Sequence, residues 1–161
     1  MATRRYLVKR QAGAALLEAL VAILIFSMGI IALMGLQAVS IKNSIDAKYR
    51  ADAAYLANQI IGQMWVDRAN INSYAHHPAG ALCSFSGAAS TYDPNMTGVT
   101  PNPGWLKQVA DTLPGATSDF QQVIVTTPTA NTRLVTVTVC WKAPQETIRH
   151  NFVATAEINM P

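Results

Sequence analysis

Charged residues are scarce in this sequence. Asp, Glu, Lys and Arg make up 13% of its 161 residues, whereas about a quarter is usual for a soluble domain. Hydrophobic residues make up 50%, which excludes a disordered tail. One segment holds the apolar excess, because the 23 residues from Ala19 to Ile41 include no charged side chain. A chain of this length corresponds to about one domain.

Basic charge is also scarce outside the N-terminus. Four of the 12 basic residues, Arg4, Arg5, Lys9 and Arg10, lie in residues 1–13, where there is no acidic residue. The rest of the chain therefore carries 8 basic and 9 acidic side chains, and the pI of about 9.0 is a property of the N-terminus. A nucleic-acid-binding domain needs basic residues on a folded face, so no nucleic-acid partner is expected.

The motifs of common enzymes are missing. The sequence has no P-loop and no G-x-G-x-x-G, and Ser84 and Ser86 lack the G-x-S-x-G context of a hydrolase nucleophile. His76 and His77 are expected in a loop, without the i, i+4 partner or neighbouring cysteine of a metal site. We therefore predict that the protein is not an enzyme and uses no metal or cofactor.

Cysteine occurs only twice, as Cys83 and Cys140. They do not form a C-x-x-C pair, so the sequence does not indicate a zinc or redox motif. If this part of the chain lies outside the cytoplasm, a disulfide between them is expected. Two unpaired thiols are the alternative.

The apolar run is too long for an ordinary secretory signal, whose apolar region has about 7–15 residues before a small-residue cleavage site. About 20 apolar residues cross a bilayer as a helix, and the positive-inside rule places residues 1–13 in the cytoplasm and the rest outside. This favours a single-pass anchor. Glu18 remains unexplained, because a carboxylate at membrane depth costs about 3 kcal/mol and needs a partner or access to the headgroups.

Helical periodicity continues beyond the apolar run, and no proline occurs before Pro78. We therefore predict one helix from Ala14 to Arg68, apolar on all sides in its first half and amphipathic in its second. The residues expected on its core face are Ile41, Ile45, Tyr49, Ala53, Leu56, Ile60 and Met64.

The C-terminal half has the pattern of a loop, a short helix and a sheet. Residues 72–104 are rich in Gly and Pro and are predicted as loop. A short helix is expected over Trp105–Thr112, followed by an antiparallel meander. The predicted strands are Phe120–Thr127, Arg133–Lys142 and Thr147–Ile158, with turns at Pro128–Thr132 and Ala143–Glu146. The fold class is therefore α+β, a long N-terminal helix packed on a C-terminal antiparallel β-sheet.

The junction between the basic leader and the apolar helix reads Lys9-Arg10-Gln11-Ala12-Gly13-Ala14-Ala15-Leu16-Leu17-Glu18. It resembles the class III signal of type IV pilins and type II secretion pseudopilins. The resemblance implies cleavage between Gly13 and Ala14 by a prepilin peptidase and methylation of the new N-terminus at Ala14, where the family usually has phenylalanine. It also implies that Glu18 pairs with the α-amine of a neighbouring subunit in an assembly salt bridge.

Later motifs resemble, in order, those of minor pilins of the PilV type, also called pilus modification proteins. The apolar helix contains no proline, which favours a minor over a major pilin. A type II minor pseudopilin and an uncleaved membrane-anchored extracytoplasmic domain remain the alternatives. The motifs that carry the resemblance are Met34-Gly35-Leu36-Gln37, Tyr49 to Ala57, Trp105-Leu106-Lys107 with Leu113-Pro114-Gly115, and Val137 to Trp141.

The resemblance implies a division into a leader (1–13), a transmembrane or filament-core helix (14–41), an amphipathic helix (42–71) and a pilin globular domain (72–161). It implies a structural subunit that primes pilus assembly or sits at the tip and so supports adhesion and twitching motility. The implied partners are other minor pilins, the major pilin, the prepilin peptidase and the assembly platform. The implied location is the bacterial inner membrane, with the C-terminus periplasmic, and later the pilus.

Overall fold

The computed structural model describes residues 12–93, 95–99, 102–144 and 146–160. The basic residues of the predicted leader lie outside these ranges. The chain divides into two compact units, Met1–Ser44 and Ile45–Pro161.

In chain order the helices and strands are α1 (Ala12–Val66), a 3-10 helix (Arg68–Tyr74), β1 (Ala79–Ala81), β2 (Ser84–Ser86), β3 (Gly98–Val99), β4 (Asn102–Pro103), α2 (Trp105–Thr112), a 3-10 helix (Ser118–Phe120), β5 (Gln121–Thr129), β6 (Thr132–Trp141) and β7 (His150–Asn159).

The long N-terminal helix α1 is confirmed, with its ends within two residues of the predicted ones. The absence of proline before Pro78 allows its hydrogen bonds to run unbroken. The helix ends at Val66 because Asp67 leaves the helical conformation, with φ −105° and ψ 47°. The Asp67 amide still donates to the Gln63 carbonyl oxygen at 2.9 Å, which closes the last turn.

Strands β5, β6 and β7 form an antiparallel sheet with β6 in the middle. Val137 of β6 stands opposite Val123 on one side and Ala154 on the other. Nearly all of β6 is buried or half-buried, because it has a strand on each side. The predicted α+β layout, with a helix packed on a three-stranded antiparallel sheet, is confirmed at this level.

The core of the second unit lies between α1 and the sheet. Ile45 is still 42% exposed, Tyr49 is half-buried, and the residues of the same helix face from Ala53 onward are buried. Trp105 of α2 lies against the same face and donates its indole N–H to the Leu56 carbonyl oxygen at 2.8 Å. Each large side chain buried here contributes about 1.5–3 kcal/mol relative to exposure. The central members of this core are Ala53, Leu56, Ile60, Met64, Trp105, Val109, Val135, Val137 and Val139.

Two strand boundaries differ from the predicted ones. Strand β7 begins at His150 rather than Thr147, because β6 ends at Trp141 and Trp141 already pairs with His150. Strand β5 continues through Pro128, which was predicted to open a turn. The β5–β6 register shifts between Thr126 and Thr129, so the ladder does not need the N–H that proline lacks.

The predicted loop of residues 72–104 contains regular structure. It holds the end of the first 3-10 helix and two short hairpins, β1–β2 and β3–β4. Gly80 has φ +100°, and a Cβ there would lie 2.5 Å from the Ser84 carbonyl oxygen. Only glycine permits this close approach of the two hairpin strands. The sequence did not predict the β1–β2 hairpin, because its strands are rich in Gly, Ala and Ser, which do not favour strands.

Candidate functional site: an exposed apolar helix

The first unit presents an apolar helix that is exposed along its described residues. Every described side chain from Gly13 to Ser44 is exposed. An 18-residue window of α1 reaches a mean hydropathy of 2.7, and none of it is buried within the protein. The helix is therefore long and apolar enough to cross a membrane. Its large exposed side chains are Leu16, Leu17, Leu20, Val21, Ile23, Leu24, Ile25, Phe26, Met28, Ile30, Ile31, Leu33, Met34, Leu36, Val39 and Ile41.

This surface is energetically unsuited to water. Removing apolar area from water contributes about 25 cal/mol per Å², or about 1.5–3 kcal/mol for each large side chain. Exposed apolar patches much larger than a few hundred Å² mark contacts with a membrane or another protein. The surface of the helix therefore suits contact with lipid or with the apolar surface of another protein.

Glu18 is the only ionisable side chain between Gly13 and Ile41. It lies in α1 and is exposed. Within the part of the chain that the structure describes, it makes no ion pair or hydrogen bond. Ala14 precedes it by four residues, so the two share one face of the helix, one turn apart. The structure thus brings Gly13, Ala14 and Glu18 together at the start of α1.

The fold gives no reason for glycine at position 13. A Cβ built on Gly13 would have no neighbouring atom within 4 Å, and its φ is not in the left-handed region. Glycine inside a helix costs about 1 kcal/mol relative to alanine. Among the residues that the structure describes, none therefore requires glycine at this position.

The two cysteines lie at disulfide-bonding distance. Their sulfur atoms are 2.07 Å apart and their Cα atoms 5.8 Å apart. Cys83 occupies the turn between β1 and β2 with φ 57°, and Cys140 is fully buried in β6. A bond at this position ties the β1–β2 hairpin to the central strand of the sheet.

A cluster of hydrogen-bond donors surrounds the Asp67 carboxylate at the end of α1, and the sequence did not predict it. Asp67 accepts hydrogen bonds from Asn70 Nδ2 at 2.8 Å, Tyr74 Oη at 3.1 Å and Tyr92 Oη at 2.5 Å. The bond from Tyr92 is the main reason that the pKa of Asp67 is lowered. Burial, followed by Asp67, raises the pKa of Tyr74, and the bond to Asp67 raises the pKa of Tyr92. The cluster fastens the loop around Tyr92 to the end of the helix.

His76 was predicted in a loop but is buried, with 1% of its surface exposed. Its Nδ1 accepts a hydrogen bond from the Ser90 amide at 3.0 Å, and its Nε2 lies 3.0 Å from the Ser118 carbonyl oxygen. Burial lowers the pKa of His76. Since Nδ1 accepts and Nε2 faces an acceptor, the ring is neutral with its hydrogen on Nε2. Its role in the structure is to join two loop segments.

Polar and aromatic side chains also meet on the surface around His150. The imidazole stacks on Trp141 with ring centroids 5.7 Å apart and bonds to the Glu146 carboxylate. Asp46 and Arg50 complete a shallow pocket beside these two rings. Among residues 12–93, 95–99, 102–144 and 146–160, no group of three His, Cys, Asp or Glu side chains is arranged to hold a metal ion.

Comparison with known proteins finds no match, whether with protein-family models, with curated proteins or with solved structures. Functional conclusions therefore depend on the residues and geometry of this chain. The feature that most needs an explanation is the exposed apolar helix with Glu18 near its start.

Proposed function

We propose that this protein is a minor pilin of a type IV pilus, a structural subunit that primes assembly or sits at the pilus tip. In that role it supports pilus biogenesis, adhesion and twitching motility. One observation carries the proposal: the exposed apolar part of α1 contains a single ionisable residue, Glu18, one helical turn after Ala14. Such a helix suits a subunit that lies first in lipid and then against other helices.

Cleavage after Gly13 would give Glu18 the partner that the described residues lack. The new α-amine of Ala14 has a pKa near 8 and is mostly cationic at neutral pH. A carboxylate alone at membrane depth costs about 3 kcal/mol. Pairing with the amine of a neighbouring subunit neutralises both charges and selects one register between the helices.

The geometry of the second unit suits a domain outside the cytoplasm. A disulfide between Cys83 and Cys140 persists in an oxidising compartment such as the periplasm. The proposed location is therefore the inner membrane with the domain periplasmic, and the pilus after assembly. The proposed partners are the prepilin peptidase, the assembly platform, other minor pilins and the major pilin.

The first test is the mass of the protein extracted from membranes of a strain with an active prepilin peptidase. The expected N-terminus is Ala14, and Gly13→Val is expected to retain the leader, because the peptidase site of this family tolerates little bulk there. Gly29→Val is the matched control, since position 29 also has nothing within 4 Å of a Cβ. An unprocessed wild-type chain would contradict the proposal.

The second test separates membrane insertion from assembly. Glu18→Gln is expected to leave insertion and cleavage intact but to leave the neighbour's amine without a counter-charge. Breaking a buried pair costs about 3 kcal/mol or more, which corresponds to roughly 100-fold less incorporation. The measurement is the ratio of this protein in sheared pili to that in membranes. Asp111→Asn, a neutralised carboxylate in α2, is the control, and an unchanged ratio for Glu18→Gln would refute the pairing.

An uncleaved single-pass anchored domain is the second candidate. It is favoured by the position of the Gly13–Ala14 bond inside α1, because a peptidase must unwind this turn before it can cut. This candidate predicts an intact N-terminus. A type II minor pseudopilin predicts the same cleavage as a pilin, but its loss impairs protein secretion rather than twitching.

A further inference from the structure

The hydrogen bonds at the β5 edge of the sheet determine which backbone groups of β7, at the opposite edge, point away from β6. Val123 of β5 exchanges two backbone hydrogen bonds with His76, each 2.9 Å long. The N–H and C=O of Val123 therefore point away from β6. In an antiparallel ladder these directions alternate along each strand, so the outward direction of one residue determines that of every other.

The register of β6 with its two neighbours extends this assignment from β5 to β7. Val137 stands opposite Val123, so its backbone groups point to β7, where its partner is Ala154. The Gln121 side chain supports the assignment, because its amide bonds both the N–H and the C=O of Cys140 at 3.0 Å, on the β5 side. On β7 the backbone groups that point away from β6 therefore belong to Asn151, Val153, Thr155, Glu157 and Asn159.

These outward groups are almost all unpaired. The Asn159 carbonyl oxygen accepts a hydrogen bond from Arg68 Nη1 at 3.2 Å. Within the described residues, the outward N–H and C=O groups of Asn151, Val153, Thr155 and Glu157 have no hydrogen-bond partner, and β6 is the only strand beside β7. The result is a row of free donors and acceptors in the geometry of a strand edge.

The edge also lacks the features that usually protect one. Natural sheets cover or interrupt exposed edges with lysine, proline, bulges or short strands. The pairing of β7 with β6 runs over ten residue pairs without a register shift. The strand contains no proline or lysine, and its outward residues include one acid, Glu157, and one large apolar side chain, Val153, which is 48% exposed.

We propose that the β7 edge binds an extended segment of another protein, which adds to the sheet as a fourth strand. Main-chain hydrogen bonds to the outward groups would provide affinity, and alternate side chains would provide specificity. Opposite charges and apolar pairs facing each other across two strands are favourable. The segment that fits this edge therefore has a basic residue opposite Glu157 and an apolar residue opposite Val153.

A second copy of this chain fits the edge less well. Two β7 strands paired antiparallel are related by a two-fold axis perpendicular to the sheet. That axis reverses the direction of residues 45–66 of α1, which lie on the face of the sheet. The two copies of residues 45–66 would then run in opposite directions along the shared sheet. Subunits anchored in one membrane share one orientation, an argument that rests on the membrane-anchored part of the proposed function.

The test uses the full-length protein in detergent micelles and a labelled synthetic peptide. The peptide alternates Val and Thr and carries one Lys in the position opposite Glu157 in the antiparallel register. A second peptide of the same sequence has alternate backbone amides N-methylated, which removes the donors that face β7. Fluorescence anisotropy is expected to show binding of the first peptide, absent from empty micelles, and at least about tenfold weaker binding of the second.

Substitutions on β7 distinguish binding at the strand edge from nonspecific binding. Val153→Pro removes an outward N–H and leaves every β6–β7 hydrogen bond in place, so it is expected to weaken binding about tenfold while the buried Trp105 and Trp141 keep their native fluorescence. Val153→Lys is a milder second variant, and Leu82→Lys, at an apolar position 60% exposed elsewhere, is its matched control. Glu157→Lys is expected to weaken binding about two- to fivefold, and a peptide with Glu in place of Lys is expected to restore it.

Several results would overturn the proposal. They are no binding of the unmethylated peptide, equal binding of the N-methylated peptide, or binding that Val153→Pro leaves unchanged. Self-association of the protein that Val153→Pro abolishes would instead identify a second copy as the occupant and overturn the choice of partner. Failure of cleavage at Gly13 would leave all of these outcomes unchanged, so the two proposals fail separately.

Discussion

Mild acidification is expected to destabilise the second unit through His76. Both ring nitrogens have hydrogen-bond partners at 3.0 Å, the Ser90 amide and the Ser118 carbonyl oxygen. A proton on Nδ1 would set an N–H against the N–H of Ser90. Burial is the main reason that the pKa of His76 is lowered, and His77 lowers it further, while the bond to Ser118 and the charge of Asp119 oppose the shift.

The sign and size of the effect follow from linkage. The unfolded chain has a histidine pKa of about 6.5, and the folded value lies below it. Well above about pH 6.5 both states are neutral, and the protonation of His76 adds no pH dependence to stability. As the pH falls through this value the unfolded state takes up a proton that the folded state excludes. The free energy of unfolding therefore decreases by up to about 1.4 kcal/mol per pH unit, until the pH reaches the folded pKa.

The assay is urea unfolding of the disulfide-intact protein in detergent, followed by the fluorescence of the buried Trp105 and Trp141 between about pH 7.5 and 5. His76→Gln is expected to cost about 1–3 kcal/mol at neutral pH, because one buried group loses its partner, and to remove the slope. His77→Gln is expected to keep it. The Asp67 contribution is lost only as the pH falls below about 3.9, outside this window. A wild-type stability that stays constant from about pH 7.5 to 5, or a slope retained in His76→Gln, would refute the reasoning.

Two further predictions concern the same unit. The native, unreduced protein is expected to have a mass two hydrogens below that of the reduced chain, and reduction of Cys83–Cys140 is expected to lower the free energy of unfolding by about 4 kcal/mol in the chain-entropy model. Two thiols that alkylate in the native, unreduced protein would contradict this. In a titration followed by phenolate absorbance, Tyr74 and Tyr92 are expected to ionise above the ordinary tyrosine pKa of about 10, because burial and Asp67 oppose their anions. Asp67→Asn is expected to move both toward the ordinary value, and a phenolate titration that this substitution leaves unchanged would contradict the cluster.

The features that the sequence predicted well are those with local signals. The ends of α1 follow from an uninterrupted helical pattern, and α2 has the predicted bounds, Trp105–Thr112. The alternating Val and Thr residues of Arg133–Lys142 indicated the central strand within one residue at each end. These signals depend on neighbours within a few positions, so they do not require knowledge of the tertiary structure.

The features that were missed depend on residues far apart in sequence. Asp67 and Asn70 are close in the chain, but Tyr92 reaches the same carboxylate from 25 residues away. His76 was predicted as part of a loop because its flanking residues favour a loop. Its burial follows from contacts with Ser90 and Ser118, and no local pattern encodes them. Buried polar residues of this kind can be found only once the loops are placed, because hydrogen-bond partners offset the free-energy cost of burying them.

The surfaces of the two units call for different partners. Nearly all backbone groups of residues 13–44 are paired within α1, so apart from Glu18 this helix offers a contact only apolar area, and it tolerates lipid as well as protein. The β7 edge is the reverse, because its outward amides and carbonyls are mostly unpaired among the described residues and lie beside a modest apolar area. Lipid tails offer no hydrogen bonds, so only water or another strand can satisfy that edge. If the proposed function holds, substitutions at Glu18 should act on association within the membrane or filament, and substitutions at Val153 should act on binding at the sheet edge, with neither effect depending on the other.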